Sequence, residues 1–328
     1  MCYSAQVYAD FRKYERFGGV LNIREFVKVF WERKKNGDWV KKIPKAMRDS
    51  FQNPRNDAER EGHDAALDAY RGASLDLEAI IAKQSERLAK AEAVLSSPKP
   101  TKKAANDKRV ATNEIAKARG KLAELGETAR DDGFGRIWPG YYCPVLIRDP
   151  ETGERSIVPM RYRLRLRGWT AKDELVKPGT YNARRDKLST VWREQFGHTH
   201  GIVIASRFYE SVALHRNQQR ELVPGEREFS VEIQFEPEPK QELFLACLWR
   251  HVEATEDEAA FYSFAIITRE PPPEVAAAGH DRCVIAIKPE NLDAWLDPGA
   301  HTLGDMKAIL DDPIGAYYQH ELVKGGPA

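Results

Sequence analysis

"HGIVIASRFYE", residues 200–210, is a run of β-branched and aromatic residues that leaves its apolar part at Glu210. Its composition is that of a strand. Four other stretches share the texture: YYCPVLIRD (141–149), RYRLRLRGW (161–169), LFLACLWRHV (243–252) and YSFAIITRE (262–270), each bounded by Pro, Gly or charges. No long helices alternate with them, which argues for an α+β, β-barrel-like body rather than a doubly wound sheet. Helical pattern returns at KPENLDAWL (288–296) and LGDMKAIL (303–310).

Working outward toward the N-terminus, the texture changes between about Phe51 and Gly126, which is rich in Ala, Glu, Lys and Asp. Leu77, Ile81, Gln84, Leu88, Ala91 and Leu95 step by 4, 3, 4, 3 and 4, a heptad seam. Pro98 and Pro100 in SSPKPTKK break the helix. A second seam follows at Ala111, Ile115, Ala118, Leu122 and Leu125, and Gly126 ends it. The spacing predicts an antiparallel helical hairpin inserted between residues 51 and 135. Residues 1–50 and 136–328 then form the two parts of the body. The seam residues serve to zip two helices together, so the insertion is expected to be a surface feature without chemistry. The alternative is that Lys102, Lys103, Lys108 and Arg109 extend a DNA track. Before the hairpin, FVKVFWERKKNGDW (26–39) reads as a short helix that packs aromatics on the body.

Composition narrows the classes. The chain has 328 residues, enough for an ample core. Its 51 basic and 50 acidic residues give a net charge of +1, which excludes a polycationic nucleic-acid coat but hides local segregation. No apolar run approaches the roughly 20 residues of a membrane span, and no signal-peptide pattern opens the chain. A soluble, intracellular, cytoplasmic protein is expected, with no membrane partner. Cys2, Cys143, Cys247 and Cys283 lack CxxC or Cys/His spacing, so neither a metal site nor a disulfide framework is indicated. GxGxxG, Walker A and HExxH motifs are absent, and no cofactor is expected.

Several residues have side chains suited to chemistry. Removal of Met1 would leave Cys2 with a free α-amine beside its thiol, groups that titrate near about 7.7–8.0 and about 8.5. Such a 1,2-aminothiol condenses with aldehydes, although a cysteine at position 2 alone decides nothing. In RYRLRLRGW a period of two puts Arg161, Arg163, Arg165 and Arg167 on one face, suited to phosphates or to local carboxylates. Trp169 and the Arg184–Arg185 pair of YNARR add aromatic and basic faces of the kind a single-strand groove uses. Glu210 at a strand rim could act as acid or base, or be solvated. His280, in GHDR, could shuttle protons or be structural, and Asn182 could orient a neighbour or form a turn.

Taken in order, Cys2, GW and YNARR (168–185), RFYE (207–210), LFLACLW (243–249), FAIITRE (264–270) and HDR with AWLDP (280–298) resemble the SRAP (SOS response-associated peptidase) family. The resemblance covers the first residues and about 137–298. It implies a mixed or antiparallel barrel-like body with flanking helices. It also implies a sensor of abasic sites in single-stranded DNA that forms a covalent thiazolidine, with autoproteolytic exposure of the cysteine and lyase activity. By the same resemblance Cys2 is the nucleophile and crosslinking residue, Asn182 holds its terminus, Glu210 transfers protons and His280 opens or protonates the sugar. Arg184 grips phosphate and Trp169 borders the DNA groove. Departures from the family pattern are Ser4 for Arg, Ser211 for Trp, and Cys283 and Val284 for Met and Pro. An N-terminal-nucleophile amidohydrolase using Cys2 and a non-enzymatic DNA-binding adaptor are the alternatives.

Overall fold

Closure of one sheet upon itself sets the architecture. The computed structural model describes residues 4–127 and 133–325. Among them are β1 (Ser4–Tyr8), β2 (Val20–Leu21), β3 (Phe134–Ile137), β4 (Tyr142–Arg148), β5 (Arg155–Tyr162) and β6 (Asn182–Arg184). Then come β7 (His200–Ala213), β8 (Ser230–Glu238), β9 (Leu243–Val252), β10 (Phe261–Arg269), β11 (Cys283–Val284), β12 (Ala286–Ile287) and β13 (Tyr317–Gly325). Strands β7, β9, β10, β5 and β4 form a ring: β9 pairs with both β7 and β10, β10 runs parallel to β5, and β4 joins β5 back to β7. The protein is α+β with a closed five-stranded barrel, as the apolar runs predicted.

The barrel fills because its inward residues are matched in size. Val145, Val158, Val203, Leu245 and Ile266 share the inward face by their cross-strand register and are buried. At Gly201 a Cβ would meet Val145 Cγ1 at 3.0 Å and the Cys247 Sγ at 3.2 Å, so the interior has no room for a side chain there. One end is sealed by Trp295, whose Nε1 donates to the Gly201 carbonyl at 3.0 Å. His200 stacks on that indole at 4.0 Å, and its Nε2 accepts from the Gly197 amide at 2.8 Å.

The helices lie outside the ring. They are α1 (Arg12–Glu15), α2 (Ile23–Lys35), α3 (Trp39–Lys42), α4 (Lys45–Asp49), α5 (Asp57–Leu95) and α6 (Lys102–Gly126), followed by α7 (Ala171–Val176), α8 (Leu214–Asn217), α9 (Pro273–Ala277), α10 (Leu292–Leu296) and α11 (Leu303–Asp311). The predicted helix at 26–39 is α2 with α3, and Phe26 and Phe30 meet Phe11 and Phe51 in a ring cluster while Trp39 packs on Tyr70. The hairpin is α5 and α6. Asn56 caps the first helix and Thr101 the second, each side chain accepting from a backbone N–H three residues on. Ala91, Ala111, Ile115, Ala118 and Leu125 are buried in the seam.

One expected strand is shorter than its pattern. RYRLRLRGW continues β5 only to Tyr162. Beyond it the chain leaves the ladder: the Leu164 amide donates to the Thr180 carbonyl at 3.1 Å and the Arg165 amide to the Ser263 hydroxyl at 3.2 Å. The arginines therefore do not form a single strand face. Glu174 on α7, itself buried, takes the Arg161 and Arg165 guanidiniums, and its carbonyl accepts from Arg163 at 2.7 Å. A buried carboxylate requires such partners, and this requirement overrides the alternation.

The root of α5 shows how tightly the hairpin is seated. A Cβ on Gly62 would lie 2.5 Å and 2.6 Å from Phe51 ring carbons. Overpacking costs about 1–3 kcal/mol, more than the roughly 1 kcal/mol of helix propensity that alanine adds. Gly120 on α6 has no atom within 4 Å of such a Cβ. Urea unfolding should therefore show Gly62→Ala to be destabilised and Gly120→Ala to be stabilised by up to about 1 kcal/mol. Equal shifts of the same sign would contradict this packing.

Candidate active site

Strand β7 is longer than the barrel needs. Its first six residues, His200 to Ala205, pair with β9; its last six, Phe208 to Ala213, pair with β8. Glu210 belongs to this overhang, opposite Ile233, and is fully buried. On the other edge β1 pairs with the same segment, Ser4 facing Tyr209. The first described residue of the chain thus lies beside the strand position next to Glu210. Cys2 lies outside the described residues.

His280 reaches Glu210 from the loop after α9. Gly279 turns that loop at φ +92, where a Cβ would also strike the backbone at Arg216 and Asn217. His280 Nε2 stands 3.3 Å from Glu210 Oε2. Its Nδ1 is 2.8 Å from the Arg282 carbonyl, which can only accept, so Nδ1 carries a proton. The Arg282 amide also lies near Nδ1, at a longer 3.3 Å. Burial lowers the His280 pKa to about 4, so the ring is neutral near pH 7. The contact with Glu210 then joins a neutral imidazole to a carboxyl group and is not a fixed ion pair.

Asn182 is supplied by β6, a three-residue strand parallel to β10 with Asn182 opposite Ile266. Its Oδ1 lies 3.5 Å from the Tyr162 hydroxyl, and Tyr162 is itself clamped between Phe264 and Tyr181. On the opposite edge of β10, β11 pairs through Thr268 and Val284. Two strand spacings of about 4.8 Å each therefore separate Arg184 from Val284. Arg184 is exposed and forked onto Asp186, with both contacts at 3.0 Å. Asp186 also lies 4.0 Å from Arg282, which binds Glu270 at 2.8 Å. The fold gathers Asn182, Arg184, Glu210 and His280 around one end of β10.

It does not bring the other expected residues there. Trp169 lines a separate groove of about 900 Å³ with Arg165, Lys172 and Phe261, near the start of β10. Arg161 and Arg165 are engaged by Glu174, and Arg165 also by Glu258. Arg167 is exposed and only 3.8 Å from Glu194.

Sequence reasoning missed Arg136. Its guanidinium donates to the Ser4 hydroxyl at 2.7 Å and to Glu232 at 2.6 Å, and lies 3.6 Å from the Tyr209 ring centroid. It therefore ties β1 and β8 to the segment of β7 that carries Glu210. Nothing in GRIWPG (135–140) signals this, because the partners are distant in sequence. Cys143, Cys247 and Cys283 are buried, and burial raises each thiol pKa, which suits structural roles.

The sequence profile of the family described as SOS response associated peptidase (SRAP) matches residues 108–324, about two thirds of the chain. This chain belongs to the SRAP family. That membership associates it with the DNA-damage response. The match includes Asn182, Glu210 and His280, and leaves out Cys2 and all of α5. No curated protein matches. Similar solved structures include a protein from Bacteroides thetaiotaomicron, 14% identical, covering 58% of this chain and 78% of that one, with a TM-score of 0.47. A protein from Bordetella bronchiseptica is 22% identical, with coverages of 58% and 87% and a TM-score of 0.44. A phage-related protein from the same organism is 20% identical, with coverages of 58% and 81% and a TM-score of 0.43. Among the described residues no helix is long and apolar enough to cross a membrane, and no cluster of three or more His, Cys, Asp or Glu could hold a metal ion.

The buried imidazoles make stability depend on pH. His280 and His200 have pKa values lowered to about 4 and about 3 by burial, against 6.5 when free. The unfolded chain then binds more protons between those limits. Each contribution is complete above pH 6.5 and declines as pH falls toward the folded value. Denaturant unfolding between pH 6.5 and 5 should show stability falling by up to about 1.4 kcal/mol per pH unit for each histidine. His280→Asn should make the dependence shallower, and a flat wild-type profile would show that the rings are not held neutral.

Proposed function

We propose that this SRAP protein captures abasic sites in single-stranded DNA through Cys2, after loss of Met1. The observation that carries the reading is the buried Glu210–His280 pair at 3.3 Å, placed where β1 begins. Cys2 is two residues from Ser4 in sequence, and two residues of chain reach at most about 7 Å. Family membership supports the DNA association, and the ordered motifs support the residue roles.

The chemistry follows from the groups. The α-amine of Cys2 adds to the aldehyde carbon of the ring-opened sugar, forming a C–N bond and a carbinolamine. Loss of water gives the imine, which requires a donor to the leaving oxygen and an acceptor for the amine proton. Glu210 and His280 can supply both. The thiol then adds to the imine carbon, forming the C–S bond, and its proton passes to nitrogen. The net change is aldehyde plus aminothiol giving thiazolidine plus water. Strand cleavage would start from the imine before ring closure. Asn182 holds the cysteine terminus. Arg184 exchanges Asp186 for a DNA phosphate, with Arg163, Arg167 and Trp169 as more distant DNA contacts.

Incubation with an abasic single-stranded oligonucleotide should give a denaturant-resistant adduct in wild type and none in Cys2→Ala. Glu210→Gln should slow its formation or reversal by roughly 10²–10⁴-fold, the usual range for a lost general acid–base. Intact mass should show Met1 removed. Absence of an adduct, together with hydrolysis of a small amide such as glutamine, would favour an amidohydrolase instead.

A further inference from the structure

The helical hairpin carries a charge pattern that neither the barrel nor the family match explains. From Asp57 to Ala82 the chain has seven acidic residues and two arginines; from Lys83 to Arg109 it has eight basic residues and three acidic ones. The root is acidic and the tip is basic. Solubility requires charge but not segregation of this kind. Two of the tip's three carboxylates are already used, Asp107 by Arg87 at 2.6 Å and Glu92 by Lys108 at 2.9 Å. Lys83, Lys90, Lys99, Lys102, Lys103 and Arg109 are exposed and make no ion pair among the described residues.

Two further features bear on the tip. Lys102 and Lys103 occupy the first turn of α6, which has no acidic residue. Cations there oppose the helix dipole and cost roughly 0.3–1 kcal/mol each, so they are placed against local stability. Between the helices a groove of about 520 Å³ is lined by Lys83, Lys90 and Lys103 over Ala91 and Ala104. The arm is also rigid and long. Gly72 still packs against Lys34 of the body, and from there to Leu95 the helix runs about 35 Å against α6. That is about one turn of B-form DNA.

We propose that the hairpin tip, Lys83 to Arg109, binds the phosphate backbone of DNA at a distance from the active site. The proposal adds a second contact to the function given above, but it stands on the hairpin's own charge. A polyanion is the partner that unpaired, exposed lysines on a stiff arm fit best. DNA flanking the lesion, single- or double-stranded, is the polyanion that a DNA-damage protein meets.

The test uses the full chain and undamaged DNA, so that Cys2 chemistry plays no part. Anisotropy titrations over a range of salt would compare wild type with a variant carrying Lys90→Gln, Lys99→Gln, Lys102→Gln and Lys103→Gln. Glutamine forms helix as well as lysine, and circular dichroism would check that the hairpin persists. Each lost phosphate contact flattens the log–log salt slope by about 0.7 on single strands and about 0.9 on duplex. The expected result is weaker binding and a slope reduced by about 2–4 units on a single strand, on a single-strand–duplex junction, or on both, with recovery when the same positions are arginine. The relative effect on the two DNAs identifies which form the tip holds. Unchanged affinity and slope on both would overturn the proposal. So would unchanged DNA binding alongside lost binding to phosphatidylserine vesicles, which would make the partner a membrane. Crosslinking at saturating abasic DNA should be unaffected. Its absence in wild type, with a tip-dependent slope retained, would remove the Cys2 reading and leave this one standing.

Discussion

The pairing of β7 with β9 closes the sheet, and the placement of Glu210 beside His280 depends on that closure. Once His200 to Ala205 are committed to β9, the remainder of β7 must extend past the barrel rim. There it finds β8 on one edge and β1 on the other. Glu210 is buried by those neighbours rather than by the barrel. A carboxyl group in such a place is costly unless a polar group meets it, and the His280 ring approaches it to 3.3 Å from a loop whose shape is imposed by Gly279.

Two other charges, a buried one and a partly exposed one, are held by partners in the same way with different outcomes. Glu174 binds Arg161, which is still in β5, and Arg165, which lies beyond its end, and so fixes α7 against the start of β10. Arg136 sits on the face of Tyr209 and bonds Ser4 and Glu232, which locks β1 to the β7 overhang. Ser4 stands where the resemblance calls for an arginine. Here the guanidinium of Arg136, from β3, reaches the hydroxyl of that serine.

The hairpin follows a separate logic. Its apolar seam and its caps are local, so it could be read directly from heptad spacing and from Pro98 and Pro100. Its attachment is not local, because Gly62 is needed only where α5 meets Phe51. The charge segregation along α5 and α6 was present in the sequence all along. Its meaning depends on knowing which cations are already paired across the seam and which face solvent.

The sequence alone determined the strand runs, the helical hairpin and the ordered motifs that carry the family resemblance. Each of these rests on local periodicity or on residue order, which no fold can rearrange. The extent of β5, the separation of Trp169 from Glu210, the role of Arg136 and the meeting of Glu210 with His280 were decided only by tertiary structure. Residues 210 and 280 are seventy positions apart in a chain whose sheet order is not its sequence order. The alternation of arginines after Tyr162 misled for the same reason. A strand pattern states which side chains share a face, but a buried carboxylate on another element decides whether the chain remains a strand at all.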